Sequence, residues 1–299
     1  MTLVTSPSDI IFESVFTPLK RTITHSESIP VKAAAIHTLG TCTYYGGASD
    51  DAILEVLDFL LEIIASDGHT ISAPDESPPV VAALEEWGFL CTLADDLSEQ
   101  SEEAVETFAE QTGSSYASVQ IAAGENIALL YEKSFRALDH DEDDMPSISA
   151  EDILSDPDET PGAPKLLRLY PAYRRTDQLL HNLTSLSRNN HLSVHSISKA
   201  DRKALKTNFS DIASSIEFPH RGPKYSTAFD EETGCRYGSR MKVKIHKEGV
   251  MRIDKWWKLH RLRGLRRVLQ GGFVTHYEKN EVVFETLPIM IEREKNHGS

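Results

Sequence analysis

The residues best suited to chemistry lie in one stretch near the end of the chain, "MRIDKWWKLHRLRGLRRVLQGGFVTHYEKNE", residues 251–281. It sets Lys255, Lys258, His260, Arg261, Arg263, Arg266 and Arg267 beside Trp256 and Trp257. In a helix, residues three, four, seven and eleven apart share a face. Leu262, Leu265, Leu269 and Phe273 then form an apolar stripe that belongs in the core. Trp256, His260, Arg263 and Arg267 form another face, flanked by Lys255, Lys258, Arg261 and Arg266. One aromatic ring and three potential cations can meet phosphates and stack on an exposed base. The competing reading makes the tryptophans core, with arginine stems laid over them. On the first reading, reversing Arg263 and Arg267 to Glu releases the polyanion with little loss of helicity.

No other constellation suggests catalysis. The chain has no HExxH, GxSxG or kinase signature, and "LQGGF" at 269–273 lacks both the preceding strand and the GK[ST] ending of a phosphate loop. His191 and His195 are four apart but have no third ligand nearby, and His37 on an alanine-rich helix reads as packed or solvated. The pairs Glu85-Glu86, Asp95-Asp96 and Glu102-Glu103 lie on polar helix faces, where solvation accounts for them. "DHDEDD" (139–144) is not a calcium loop, because Asp144 and Ala150 stand where an EF-hand needs Gly and Glu. Cys42, Cys91 and Cys235 are few and far apart. That argues against zinc and for a reducing compartment, with Cys42 and Cys91 as buried thiols. The expectation is a protein that is not an enzyme, with no metal, cofactor or small-molecule substrate. No signal peptide or membrane span is expected either, since no apolar run approaches the roughly 18–20 residues a span needs.

Charge is divided between the halves. Residues 1–160 carry 5 Lys/Arg against 32 Asp/Glu, and residues 161–299 carry 26 against 14, so the formal total of -15 conceals -27 and +12. A sign reversal on this scale points to polyanion binding by the second half.

The elements that must position these residues are mostly helices. Helical spacing with start and stop signals covers 6–23, 28–47, 49–68, 77–96, 101–113 and 117–138. Aligning 33–44, 81–92 and 121–132 superposes Ala35, Ala83 and Ala123; Leu39, Trp87 and Ile127; and Gly40, Gly88 and Ala128. The offsets of 48 and 40 residues lie close to armadillo and HEAT periods. The fold class expected is therefore all-α. Armadillo/HEAT-like repeats of an α-solenoid occupy 1–138, an acidic linker or loop 139–164, and further helices continuing the solenoid 165–218, the first of them (165–189) broken at Pro171. A basic C-terminal domain with a short β-hairpin (241–254) occupies 219–299, and its basic helix begins at Asp254. Lys199, Arg202, Lys203 and Lys206 are exposed on the helix 198–218, and Lys242 and Lys244 on the hairpin.

"KADRK" (199–203) begins a longer pattern. Ile253, Asp254 and Trp256 follow; then Val268, Leu269, Gly272, Phe273 and His276; then Asn280, Glu281 and Phe284. In order and spacing this resembles the C-terminal region of the interferon-related developmental regulator family. The resemblance implies an armadillo-like N-terminal domain and a non-enzymatic regulator, linked to translationally inactive ribosomes and to transcriptional co-regulation. It implies ribosomal RNA and the tRNA/mRNA path as partner. Lys199, Arg202, Lys203, Lys242, Lys244, Trp256, His260, Arg263, Arg266 and Arg267 would then make the contacts, and the cytoplasm would be the location. The alternative it implies is a nuclear scaffold that binds transcription-regulator proteins on the solenoid surface. Vertebrate members continue into a long basic tail, whereas this sequence ends "LPIMIEREKNHGS". A channel plug built from such a tail is not expected.

Overall fold

The computed structural model describes residues 9–138, 152–156, 165–188, 198–225, 238–245, 249–289 and 292–293. His191, His195, Cys235 and the 139–144 acidic run lie outside them. Most described residues are helical, as the all-α expectation requires. The chain forms two compact units that interleave in sequence: residues 1–97, 107–126 and 257–289 make the first, and 98–106, 127–256 and 290–299 the second. This differs from the linear division above, since the last basic helix joins the unit of the first repeats.

The first unit starts with α1 (Asp9–His25), α2 (Ile29–Tyr45), α3 (Asp50–Ala65) and α4 (Ser77–Cys91). The start and stop signals act as anticipated. Pro30 lies in the first turn of α2, and the Gly46 N–H returns to Cys42 O. Ser49 caps α3 by accepting from Ala52 N, ahead of Asp50 and Asp51. α2 packs on α1 and α4, and α3 on α4. Ile36, Leu39, Val56, Leu60, Ile64, Leu84 and Trp87 are fully or almost fully buried. α5 (Ser101–Gln111) and α6 (Ala117–Lys133) begin beyond these, α9 runs Trp256–Leu269, and α10 (Phe273–Lys279) and α11 (Glu281–Thr286) close the unit. All the residues superposed by the repeat alignment are buried. A Cβ on Gly40 would collide with the Glu86 carboxylate, and one on Gly88 with Asn126 and His260. The repeat glycines thus open slots for polar groups of the next element, beyond the helix contact their small size suggested.

The second unit contains α7 (Thr176–Arg188), which packs on α8 (Lys199–Glu217). Ser198 caps α8, accepting from Asp201 N and donating to its carboxylate. Among the described residues it also holds two small antiparallel sheets. β4 (Lys242–Lys244), β5 (Gly249–Arg252) and β6 (Glu292–Arg293) make one, in that order, and its β4–β5 hairpin is the one the alternation predicted. The other sheet was not anticipated: β1 (Phe135–Ala137), β3 (Leu166–Arg168) and β2 (Ile153–Leu154), with Phe135 opposite Arg168 and Ile153 opposite Leu167. Residues 165–175 are consequently not helical, and helix begins only at Thr176. Pro171 bars an intrahelical N–H bond, and β1 and β2 supply partners for an extended chain instead. Part of the expected linker also belongs to the fold. Asp156, just after β2, has a fully buried side chain that takes a bidentate pair from Arg221, with Nε–Oδ2 and Nη2–Oδ1 both 2.5 Å.

Candidate nucleic-acid interface

Trp256 does not present itself to a ligand. It is 1% exposed, its backbone N–H donates to Glu132 Oε2 at 2.8 Å, and its Nε1–H donates to Ser215 Oγ at 2.8 Å. Trp257 is the partly exposed one, with Arg261 Cζ 5.0 Å and Lys258 Nζ 5.7 Å from its ring centre. The remaining residues of the expected binding face are turned into the first unit. His260 is 5% exposed, and burial pushes its pKa down to about 3, so it is neutral. Arg263 forms a bidentate pair with Glu125, one branch measuring 2.9 Å. Arg267 pairs with Glu85 at 2.9 Å and with Glu86. Trp256 and His260 are thus packing residues, which corrects their reading as contacts, while Arg263 and Arg267 pair with carboxylates and keep side chains 42% and 21% exposed. Of the flanking cations, Arg261 is also engaged, donating to Thr92 O at 2.9 Å and Thr286 O at 3.2 Å. Arg266 stays exposed, its guanidinium 5.6 Å from the Phe273 ring centre.

The repeats explain this packing. At the same offsets that superpose the glycines, His37, Glu85 and Glu125 are equivalent positions, and so are Thr38, Glu86 and Asn126. Successive helices α2, α4 and α6 therefore carry two parallel rows of polar side chains. His37 Nδ1 meets Glu86 Oε1 at 2.8 Å, and Asn126 Nδ2 donates to Leu84 O at 2.9 Å. The His260 ring occupies the slot over Gly88 beside Asn126. α9 runs along these rows, one basic residue per turn. Glu86 is fully buried rather than solvated, and the pair Glu102-Glu103 is likewise partly engaged, since Glu102 accepts from Arg174 N at 3.0 Å.

The other expected contact residues keep the surface. On α8, Lys199, Arg202 and Lys203 are exposed. On β4, Lys242 and Lys244 are exposed and alternate with buried Val243 and Ile245. Between α7 and α8 lies a polar cleft of about 420 Å³, lined by Thr184, Ser187, Arg188, Lys206, Ser210, Ala213, Ser214, Glu217 and Arg221. Arg188 was not among the expected contacts. Lys206 was read as exposed but not as a contact, although it continues the stripe of Lys199 and Lys203.

Among the described residues no group of three His, Cys, Asp or Glu could hold a metal ion, and no helix is long and apolar enough to cross a membrane. Cys91 is buried, and Cys42 is partly so, burial raising its thiol pKa.

Comparison with known proteins adds two findings. The family model described as interferon-related developmental regulator matches residues 1–217. An uncharacterized protein of Schizosaccharomyces pombe is 28% identical over 264 residues, covering 86% of this chain and 51% of the relative. The chain thus spans about half the length of that curated relative.

Proposed function

The chain belongs to the interferon-related developmental regulator family, and on that premise we propose that it is a non-enzymatic regulator of translation. It binds ribosomes through the basic second half and represses or marks inactive ones. The observation that carries this is the set of exposed cations Lys199, Arg202, Lys203, Lys242 and Lys244 in a half of charge +12. Lys199, Arg202, Lys203 and Lys242 have no carboxylate partner among the described residues. Ribosomal RNA is the abundant polyanion such a surface fits, and release of its counterions drives the association. Arg263, Arg267, His260 and Trp256 hold the fold in this reading and do not touch RNA. A scaffold that grips basic partners on the repeats is less favoured, because Glu85, Glu86 and Glu125 are already engaged by α9. We place the action in the cytoplasm.

Sedimentation of lysate through sucrose gradients tests the reading. The protein should travel with subunits or monosomes after starvation, and Lys242→Glu/Lys244→Glu should return it to the top of the gradient. A wild-type chain that stays at the top in every growth state refutes the proposal.

A further inference from the structure

α8 carries a second signal beyond its exposed first turns. Taking 100° per residue, Lys199, Lys203, Lys206, Ser210, Ser214 and Glu217 fall within about 60° of one line along the helix. Leu205, Phe209, Ile212 and Ile216 face elsewhere and are buried. The line of three lysines therefore leads directly into the 420 Å³ cleft against α7. Across the cleft α7 presents Arg188 and the Thr184 hydroxyl.

The chemistry of the cleft is selective. Its lining includes the buried Arg221, whose charge is matched by Asp156 and whose Nη1 donates to Ser214 Oγ at 2.9 Å. That pair carries no net charge, so the positive charge of the cleft comes from Arg188 and Lys206. Neither has an acidic partner among the described residues. Glu217, the last residue of α8, also lines the cleft. The lining offers cations and hydroxyl donors and only one apolar side chain, Ala213. Such a lining suits tetrahedral anion oxygens better than a base or a peptide side chain.

We propose that this cleft holds a backbone phosphate of a nucleic-acid strand, with Arg188 and Lys206 as the charged donors and Thr184 and Ser210 as hydroxyl donors. The strand continues along Lys203 and Lys199. A polymer is the fitting source, because Lys203 and Lys199 extend the positive charge about 10 Å beyond Lys206 along the helix axis. A lone phosphate would leave them unused. This inference rests on the nucleic-acid reading of the basic half and assigns it a subsite.

The test is fluorescence anisotropy of a labelled oligouridylate with the full chain over about 50–200 mM salt. Arg188→Gln/Lys206→Gln should weaken binding about tenfold at low salt and lower the slope of log K against log salt by about 1.4, two single-strand contacts. Ser210→Phe fills the cleft without changing charge and should weaken binding while leaving helicity intact. Lys279→Gln, exposed on α10, should bind as wild type. A double variant with wild-type slope, or a Ser210→Phe variant with wild-type affinity, overturns the subsite. Complete displacement by millimolar inorganic phosphate assigns the cleft to a free anion and also overturns it. So does displacement by polyglutamate as effective as by unlabelled oligouridylate, because the ligand is then an acidic peptide. A wild-type chain that binds no oligonucleotide removes the nucleic-acid reading itself; binding that ignores these variants removes only the cleft.

Discussion

Replacing Arg263 and Arg267 together by alanine removes the arginine partners of two buried carboxylates, leaving Glu86 with His37 alone. Glu125 is 2% exposed and Glu86 fully buried, while the arginines themselves are 42% and 21% exposed at the side chain. Removing one member of a fully buried pair costs about 3–5 kcal/mol, and an exposed pair is worth about 0–1. Water reaches Glu125 more readily once Arg263 is gone, so Arg263→Ala should cost about 2 kcal/mol and Arg267→Ala about 3. Both arginines serve the same acidic rows, so the double variant need not equal the sum. Taking about 4–5 kcal/mol, this is a third or more of the stability of many domains. At about 2–3 °C per kcal/mol for a chain of this size, the melting point falls by about 10 °C or more. Thermal unfolding followed by circular dichroism at constant ionic strength reads it. Glu125→Gln in the Arg263→Ala background should recover about 1 kcal/mol, because the orphaned charge is removed. A double variant that melts with the wild type but loses RNA would refute the reasoning, since those arginines would then be contacts and not packing.

Other perturbations probe different parts of the fold. Gly88→Ala drives a methyl into Asn126 and the His260 ring and should cost about 3 kcal/mol, checked by urea unfolding. Lys32 is buried, and its ammonium donates to Ile23 O at 2.8 Å, Thr24 O at 3.0 Å and Ile71 O at 2.5 Å. Lys32→Met leaves these carbonyls without that donor and should cost about 2–4 kcal/mol in the same assay. Burial holds His260 at about 3 and His220 at about 4, against an ordinary value of 6.5. The unfolded chain takes up protons below about 6.5 that the folded chain refuses, so stability is complete above that pH and falls as pH drops towards 4 and 3. Each histidine should contribute a loss of about 2 kcal/mol between pH 8 and pH 5, and His220→Asn should roughly halve the loss in denaturant midpoints.

Much of this was legible along the chain. Apolar spacing and caps placed α2, α3, α4 and α8, and strict alternation placed the β4–β5 hairpin with its lysines outward. The phase of the repeats, read from Ala35, Ala83 and Ala123, also sets Glu85 and Glu125 on equivalent positions. What these carboxylates meet was not legible. Glu85-Glu86 has the local pattern of a solvated face, and only the arrival of α9, more than 170 residues later, turns it into a buried network. β3 was missed for a similar reason. "KLLRL" carries helical spacing, and its strand partners come from β1 and from a segment with the composition of a linker.

The sequence by itself determined the helical repeats, the family, the charge reversal and the leucine stripe of α9, because these depend on local periodicity and residue type. It could not choose between Trp256 and Trp257, adjacent and alike, or between a phosphate and a carboxylate as the partner of Arg263. Tertiary structure made both choices. Ser215 and Glu132 bond Trp256, and Glu125 pairs with Arg263. An arginine on a helix satisfies its charge with whichever anion the fold brings nearest, and that distance is set by long-range packing.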